Sequence, residues 1–316
     1  MSAGAAADHE GTGHALTIGV FDGVHLGHRL VIERVRKIAD RLSAKSALVT
    51  FDPHPAQVLR PDLAPLLLTD LEHKLGLLEE TGLDTVLVLP FDTDRAAESA
   101  EHFVRSVLVD CLDIKAVVVG EDFHFGKGRL GNVGLLTEMG RSYGFQVHDQ
   151  TLVARPDLPG ADGATRVISS TAIRQALTDG DVGTASTLLG RLHEVRGEVV
   201  KGDQRGRTIG FPTANVLVDP NIAIPGDGVY AGWYLLPNGD RRPSAINVGR
   251  RPTFYEQADH SLIEAHLIGF SGDLYGQTAR VQFVQRLRGE RKFDGIDQLK
   301  SQLEFDIESA ATMLSD

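Results

Sequence analysis

The chain has 316 residues, of which 42% are apolar and 24% charged, and a formal net charge of −11; this is globular composition, long enough for about two ordinary domains. The acidic balance excludes a general affinity for nucleic-acid backbone, which needs a basic footprint, but leaves local phosphate sites open. A single cysteine, Cys111, excludes an intrachain disulfide framework, and no apolar stretch approaches the ~20 residues of a membrane helix.

Residues 1–13 are small, polar and weakly acidic, without the basic and apolar regions of a signal peptide. They read as a disordered tail on a cytoplasmic protein. From there to about residue 185, short β-branched runs alternate with helical spacing. Strands are expected at 15–21, 46–51, 85–89 and 116–120, and helices at 30–42, 72–81, 97–108 and 135–143. The alternation predicts an α/β domain with a doubly wound parallel sheet, which binds ligands beyond the carboxyl ends of its strands. Cys111, just before the apolar run 114–119, reads as a small core residue. Two short helices, 171–178 and 182–189, bridge to a different texture. Beyond about residue 190, short strands at 194–200, 228–235, 244–248, 262–268 and 279–284, punctuated by Gly, Pro, Asn and Asp, predict a small antiparallel β-barrel. Ile296, Leu299, Leu303 and Ile307 predict a C-terminal helix over 296–313. The expected division is a tail at 1–13 and domains at 14–186 and 187–316.

In the first half, Gly19-Val20-Phe21-Asp22-Gly23-Val24-His25-Leu26-Gly27-His28 places a glycine-containing turn between a strand and a helix starting near His28. A helix N-terminus presents unpaired N–H groups and a positive dipole end to phosphate, and Gly23 and Gly27 allow close backbone approach. His25 and His28 are spaced to donate to one phosphate and to stabilise charge building on a phosphoryl group. The pattern resembles the His-x-Gly-His signature of the nucleotidyltransferase superfamily, whose members transfer AMP from ATP and release pyrophosphate. The second signature of that superfamily is matched by Val167-Ile168-Ser169-Ser170-Thr171-Ala172-Ile173-Arg174. There Ser169, Ser170 and Thr171 are N-cap candidates, and the fork of Arg174 suits phosphate oxygens.

Two further segments, Thr50-Phe51-Asp52-Pro53-His54-Pro55 and Gly120-Glu121-Asp122-Phe123-His124-Phe125-Gly126, resemble the FMN adenylyltransferase domain of prokaryotic bifunctional flavin enzymes. The resemblance makes Phe51, Pro53, Pro55, Asp122 and Phe125 candidate flavin contacts, because aromatic and proline faces suit a flat isoalloxazine ring. Asp122 stands where some relatives carry Asn. The prolines also read as turn punctuation, and Phe123 and Phe125 as core packing. Gly126-Lys127-Gly128-Arg129-Leu130-Gly131 satisfies Gly-x-Gly-x-x-Gly, but not at the first strand–helix turn. It reads as a mobile basic loop, with Lys127 and Arg129 candidates for triphosphate contact. The P-loop pattern Gly-x-x-x-x-Gly-Lys-[Ser/Thr] does not occur.

In the second half, Gly206-Arg207-Thr208-Ile209-Gly210-Phe211-Pro212-Thr213-Ala214-Asn215 follows a polar loop at 201–205 that is suited to cover a nucleotide. Pro212 fixes the backbone, so Thr213 and Asn215 project to one side of an extended segment. Their hydroxyl and amide oxygens are hard donors suited to Mg²⁺, although the same residues also make an ordinary turn. The segment resembles riboflavin kinases, as does the order of later segments: 228–232, 246–254, 264–267, 273–276 and 287–293. The resemblance implies that Gly206, Arg207, Thr213 and Asn215 bind ATP, with Thr213 and Asn215 holding its magnesium, and that Glu264 is the base for the riboflavin 5′-hydroxyl. Strand alternation puts Glu264 and His266 on the less apolar face, opposite Ile263, Ala265 and Leu267.

Together the motifs identify the chain with the prokaryotic bifunctional riboflavin kinase/FMN adenylyltransferase (FAD synthetase) family. The implied activities are riboflavin plus ATP to FMN in the C-terminal domain, and FMN plus ATP to FAD in the N-terminal one. His25, His28, Ser170, Thr171 and Arg174 are the expected ATP-binding residues of the second reaction, and His28 and Glu264 the expected catalytic ones. The implied ligands are riboflavin, FMN, FAD, ATP and Mg²⁺, with no nucleic acid or membrane, in a monomer or weak homo-oligomer. Two rival readings remain: a nucleotidyltransferase for another substrate, and a non-catalytic flavin- or nucleotide-binding regulator.

Overall fold

The structure, a computed structural model, describes residues 12–150, 154–159, 165–202, 206, 209–249 and 262–315. Residues 1–11, nearly all of the expected tail, lie outside them. Contacts divide the chain into two units: Met1–Pro65 with Leu71–Ala154, and Leu66–Asp70 with Arg155–Asp316.

The first unit contains, in order, β1 (His14–Ile18), α1 (Leu26–Leu42), β2 (Lys45–Asp52), α2 (Pro55–Leu59), α3 (Leu71–Glu79), β3 (Thr85–Pro90), α4 (Thr93–Ala97), α5 (Ala100–Phe103), β4 (Ile114–Gly120), β5 (His124–Phe125), β6 (Gly131–Asn132), α6 (Val133–Tyr143) and β7 (Gln146–Gln150). β1 to β4 and β7 form a five-stranded sheet in the order β3-β2-β1-β4-β7, parallel throughout. β1 is buried along its whole length because both faces of the sheet are covered. Leu16, Ile18, Val117 and Val119 pack with Phe103, Val104, Leu108 and Leu136, while Ala15, Ala116 and Val118 pack against Val35, Ile38 and Ala39 of α1. Strand alternation thus feeds two cores. The order reverses between β1 and β4, so the loops leaving those two strands diverge around a crevice at their carboxyl ends.

Several local expectations change. The helix expected at 97–108 is broken. Asp92 caps α4, the backbone is extended at Glu98, Ser99 caps α5, and Val104–Val109 continues with π-helical spacing. Two short polar side chains thus restart the helix at the expense of one continuous run. Cys111 is exposed: it lies in the turn before β4, and its neighbour Leu112 takes the buried place. The expected mobile loop at 126–131 is instead part of a β5–β6 hairpin with a 3₁₀ turn at Lys127–Arg129. Its glycines serve packing: a Cβ at Gly126 would meet the Ala100 backbone at 2.7 Å, and one at Gly131 the Ala100 Cβ at 2.6 Å.

The second unit contains β8 (Ala154–Pro159), β9 (Thr165–Val167), α7 (Ser170–Thr178), α8 (Val182–Leu189), β10 (His193–Val200), β11 (Ala214–Val218), β12 (Gly228–Leu235), β13 (Arg241–Gly249), β14 (Leu262–Leu267), β15 (Thr278–Arg288) and α9 (Ile296–Met313). β8 and β9 pair with each other, and the later six strands close a barrel in the order β10-β11-β14-β13-β12-β15. All its pairings are antiparallel. Tyr230, Tyr234 and Phe283 are among its fully buried side chains. Burial pushes the Tyr234 phenol up to about 12. α7 and α8 are tied to the barrel: Gly226 N–H donates to Leu177 O at 2.8 Å, and Arg286 donates to Asp227 O at 2.7 Å and Asp179 O at 3.4 Å.

α9 is held by a buried ion pair. Arg288 on β15 donates to both carboxylate oxygens of Asp306 at 2.8–3.1 Å, and Gln302 donates to Asp306 at 2.8 Å. Asp306 is 2% exposed, so its removal strands a charged guanidinium at the barrel wall. Asp306→Ala is expected to destabilise the barrel by roughly 3–5 kcal/mol, the cost of breaking a buried pair from one side. The chain's one tryptophan, Trp233, lies on β12 and reports the unfolding of this unit; an unchanged urea midpoint contradicts the expectation.

Candidate active sites

Three ligand-suited loops leave adjacent strands of the first unit: 19–25 after β1, 53–54 after β2 and 121–123 after β4. After β1 the chain turns through left-handed conformations at Phe21 (φ 52°), Gly23 (φ 80°) and Val24 (φ 37°). Two of these are not glycines, a sparsely populated choice that concentrates at ligand-holding turns. The turn delivers His25 to the N-cap of α1, where its Nδ1 accepts from the His28 N–H at 3.3 Å. An Nδ1 that accepts leaves the neutral ring's proton on Nε2. The His25 and His28 rings stack, centroids 3.6 Å apart and 15° from parallel, with Phe21 4.8 Å from His28. No acidic residue occupies the first turn of α1, so its N-terminal dipole is not offset by a carboxylate. The helix starts two residues earlier than expected from His28, because an imidazole replaces the usual Ser, Thr, Asp or Asn cap.

After β2, His54 caps α2 through a reciprocal box: its Nδ1 accepts from Ala56 N–H at 3.0 Å, and its N–H donates to Gln57 at 3.1 Å. Pro55 takes the first helical position, Pro53 is exposed, and Phe51 meets Phe91 edge-on at 5.6 Å. Phe51 and Phe125 join one aromatic cluster through Phe103, at 6.4 and 5.9 Å, and Phe123 stacks on Phe125 at 5.4 Å. Both phenylalanines are half-buried against the core and half open to a ligand. Asp122 is exposed, and its carbonyl accepts from His124 Nδ1 at 2.7 Å.

Ser170, Thr171 and Arg174 lie in the second unit. Of the three cap candidates the structure uses Ser169, whose Oγ accepts from Ala172 N–H at 3.2 Å. Ser170 and the exposed Thr171 open the first turn, and Arg174 Nε donates to Leu66 O at 2.5 Å.

The barrel places a row of side chains in register across neighbouring strands: Asn215 on β11 opposite Glu264 on β14, Glu264 opposite Asn247 on β13, Asn247 opposite Val229 on β12, and Val229 opposite Arg288 on β15. Residues paired across strands share a face, and all five line a cavity of about 630 Å³. The apolar stripe of α9, Leu299, Leu303 and Ile307, closes its other side. A second cavity of about 660 Å³ is lined by Leu267, Phe270, Asp273 and Tyr275. Thr213 and Asn215 line both cavities, so they stand at the partition. Asn215 is 6% exposed, and a Cβ at Gly202 would sit 2.6 Å from its Oδ1, so Gly202 is the residue that admits this side chain.

Glu264 and His266 share the half-open face of β14, opposite buried Ile263, Ala265 and Leu267. Gly206 lines the first cavity and accepts from Phe211 N–H at 2.8 Å; Arg207 and the loop 203–205 lie outside the described residues. Asn247, His266 and Arg288 fall within the segments 246–254, 264–267 and 287–293 without an expected role, and the structure places all three in the lining of the first cavity. His266 donates from Nδ1 to Pro212 O at 2.8 Å and so pins the Pro212–Asn215 segment; its place two residues from Glu264 was the signal for it. Asn247 and Arg288 join the site only through cross-strand register, which local pattern does not show.

A family model described as FAD synthetase matches residues 7–158, and one described as riboflavin kinase matches residues 189–314. Curated relatives named bifunctional riboflavin kinase/FMN adenylyltransferase match along nearly the whole chain. That of Haemophilus influenzae is 39% identical over 94% of this chain and 93% of its own. That of Escherichia coli K12 is 40% identical over 92% and 90%, and that of Bacillus subtilis 36% over 95% and 92%. A solved Streptococcus pneumoniae structure described as a macrolide-efflux protein is similar with a TM-score of 0.81 and 30% identity, over 96% of this chain and 95% of that one. Among the described residues here, no helix is long and apolar enough to cross a membrane.

Proposed function

The chain belongs to the bifunctional riboflavin kinase/FMN adenylyltransferase family, and from that premise we propose how its two reactions are divided among named residues. The enzyme phosphorylates riboflavin with ATP through its C-terminal kinase part, and transfers AMP from ATP to FMN through its N-terminal FAD synthetase part. The observation that carries the kinase assignment is the partition: Thr213 and Asn215 line two cavities at once, with Glu264 in register beside Asn215. ATP is assigned to the cavity lined by Tyr275 and Asp273, and riboflavin to the one closed by α9. The terminal phosphate and the 5′-hydroxyl then meet at the partition. Phosphoryl transfer needs alignment and charge neutralisation more than covalent chemistry. Glu264 accepts the hydroxyl proton as the oxygen attacks the γ-phosphorus, and ADP leaves.

The donors fit Mg²⁺. A hydroxyl and an amide oxygen are hard ligands, and Mg²⁺ takes few protein ligands, keeping waters and phosphate oxygens. Bound by Thr213 and Asn215, Mg²⁺ would neutralise charge on the phosphates.

In the adenylyltransferase, an oxygen of the FMN phosphate attacks the α-phosphorus of ATP and pyrophosphate leaves. His25 and His28 are assigned to the triphosphate at the N-terminus of α1, where ring N–H groups and the dipole stabilise the developing charge. Ser170, Thr171 and Arg174 are assigned to ATP binding for the same reaction. Phe51, Pro53, Pro55 and Phe125 are assigned to the isoalloxazine ring, with Asp122 at its edge. By chemistry the adenylyltransferase domain is therefore taken as 14–186 and the kinase as 187–316, although residues from 155 on group by contacts with the barrel. The enzyme is proposed to work in the cytoplasm as a monomer or weak homo-oligomer, without nucleic acid. Incubation of the purified chain with riboflavin, ATP and Mg²⁺, followed by chromatography of the flavins, tests the reading: FMN and FAD are expected, and formation of neither rejects it.

A further inference from the structure

Lys74 on α3 is 6% exposed and shares the buried face of that helix with His73, Leu77 and Leu78. Its Nζ is 3.5 Å from Val20 O, 3.4 Å from Thr50 Oγ1 and 3.3 Å from Phe51 O. Thr50 Oγ1 in turn donates to Val20 O at 2.9 Å. An ammonium has three donors and no acceptor, so its full capacity is turned on the carboxyl ends of two adjacent parallel strands. The chain beyond Val20 carries His25 and His28; the chain from Phe51 on carries Pro53 and Pro55. Burial pushes the Lys74 pKa down, against the opposing pull of Asp52 and Asp22. A buried charge contributes little to stability compared with a well-packed apolar side chain of similar size. Its place at the carboxyl ends of β1 and β2, where the loops to both candidate ligand segments begin, points to a role in the reaction.

We propose that Lys74 is a positioning residue for FMN adenylylation: its ammonium ties the loop after β1 to the loop after β2 and so sets the spacing between the phosphate-binding histidines and the flavin-stacking segment. The proposal rests on the assignment of those two loops to the adenylyltransferase site. Lys74→Met in the full chain keeps the length and removes the charge. Its kcat/KM for FAD formation is expected to fall at least ~10-fold, with KM raised for both FMN and ATP, because a displacement of about 1 Å at either loop misaligns both substrates. The thermal midpoint is expected to fall, because Asp22 and Asp52 lose their cation, so the rates are compared per folded protein, and riboflavin phosphorylation, measured on the same sample, is expected to be unchanged. Parent-like KM values for both substrates, or a loss that only follows a fall in folded protein, overturn the proposal. Should the Met variant fail to fold, Lys74→Gln is read by the same criteria: raised KM values support the proposal and parent-like values overturn it. His28→Ala is assayed alongside. If it leaves FAD formation intact, the loop assignment itself fails; if it abolishes FAD formation while Lys74→Met is parent-like, only the role of Lys74 is lost.

Discussion

His28→Ala is expected to abolish conversion of FMN to FAD, by at least ~100-fold in kcat/KM, while leaving riboflavin phosphorylation intact; removal of one preorganised donor from a developing charge costs this much. The residue stands at the N-terminal end of α1, its backbone N–H bound to His25 and its ring stacked 3.6 Å from the His25 ring. Alanine keeps the backbone N–H and the cap, so the helix start survives while the ring donor is lost. That separation lets the substitution report chemistry and not folding. His28→Gln, which keeps a side-chain N–H, is expected to fall between the parent and alanine. The measurement is steady-state formation of FAD from supplied FMN, with riboflavin kinase activity of the same preparation as the folding control. Equal loss of both activities in a folded protein contradicts the assignment.

Glu264→Gln is expected to do the reverse: FMN formation from riboflavin falls by ~10²–10⁴-fold, the range for loss of a general base, while FAD formation from supplied FMN is unchanged. Glutamine preserves the shape of the row formed with Asn215 and Asn247 but cannot take a proton. Because the role concerns proton removal and not binding, kcat should carry the loss, with KM for riboflavin and ATP near the parent values. A variant that raised KM alone would make Glu264 a binding group.

Much of this architecture was legible because each half repeats one physical pattern. Strands that are apolar at most positions, such as β1 and β4, are buried on both faces, and alternation along β14 separates Ile263, Ala265 and Leu267 from Glu264 and His266. Helices α8 and α9 fall where the spacing and the flanking glycines put them. What escaped did so for identifiable reasons. β7, Gln-Val-His-Asp-Gln, is an edge strand of polar residues, so it offers no apolar run to read. β11 begins inside the Pro-Thr-Ala-Asn segment, where turn chemistry masks a strand. His25 and His54 cap helices with imidazoles, outside the usual cap set. Lys74 occupies a buried helical position that spacing alone assigns to solvent because of its charge. The Arg288–Asp306 pair and the place of Asn247 depend on register between strands and helix that are distant in sequence, which no local window contains.

If the chain carries two separable ATP-using sites, linked by the flavin that leaves one and enters the other, then each can be inactivated alone and the two variants must complement each other. The His28→Ala and Glu264→Gln proteins are given riboflavin, ATP and Mg²⁺, singly and mixed, and the flavins are resolved by chromatography. The first variant alone is expected to stop at FMN, the second alone to leave riboflavin almost untouched, and the mixture to make FAD. Accumulation of FMN in the mixture without any FAD shows that the two sites do not work separately.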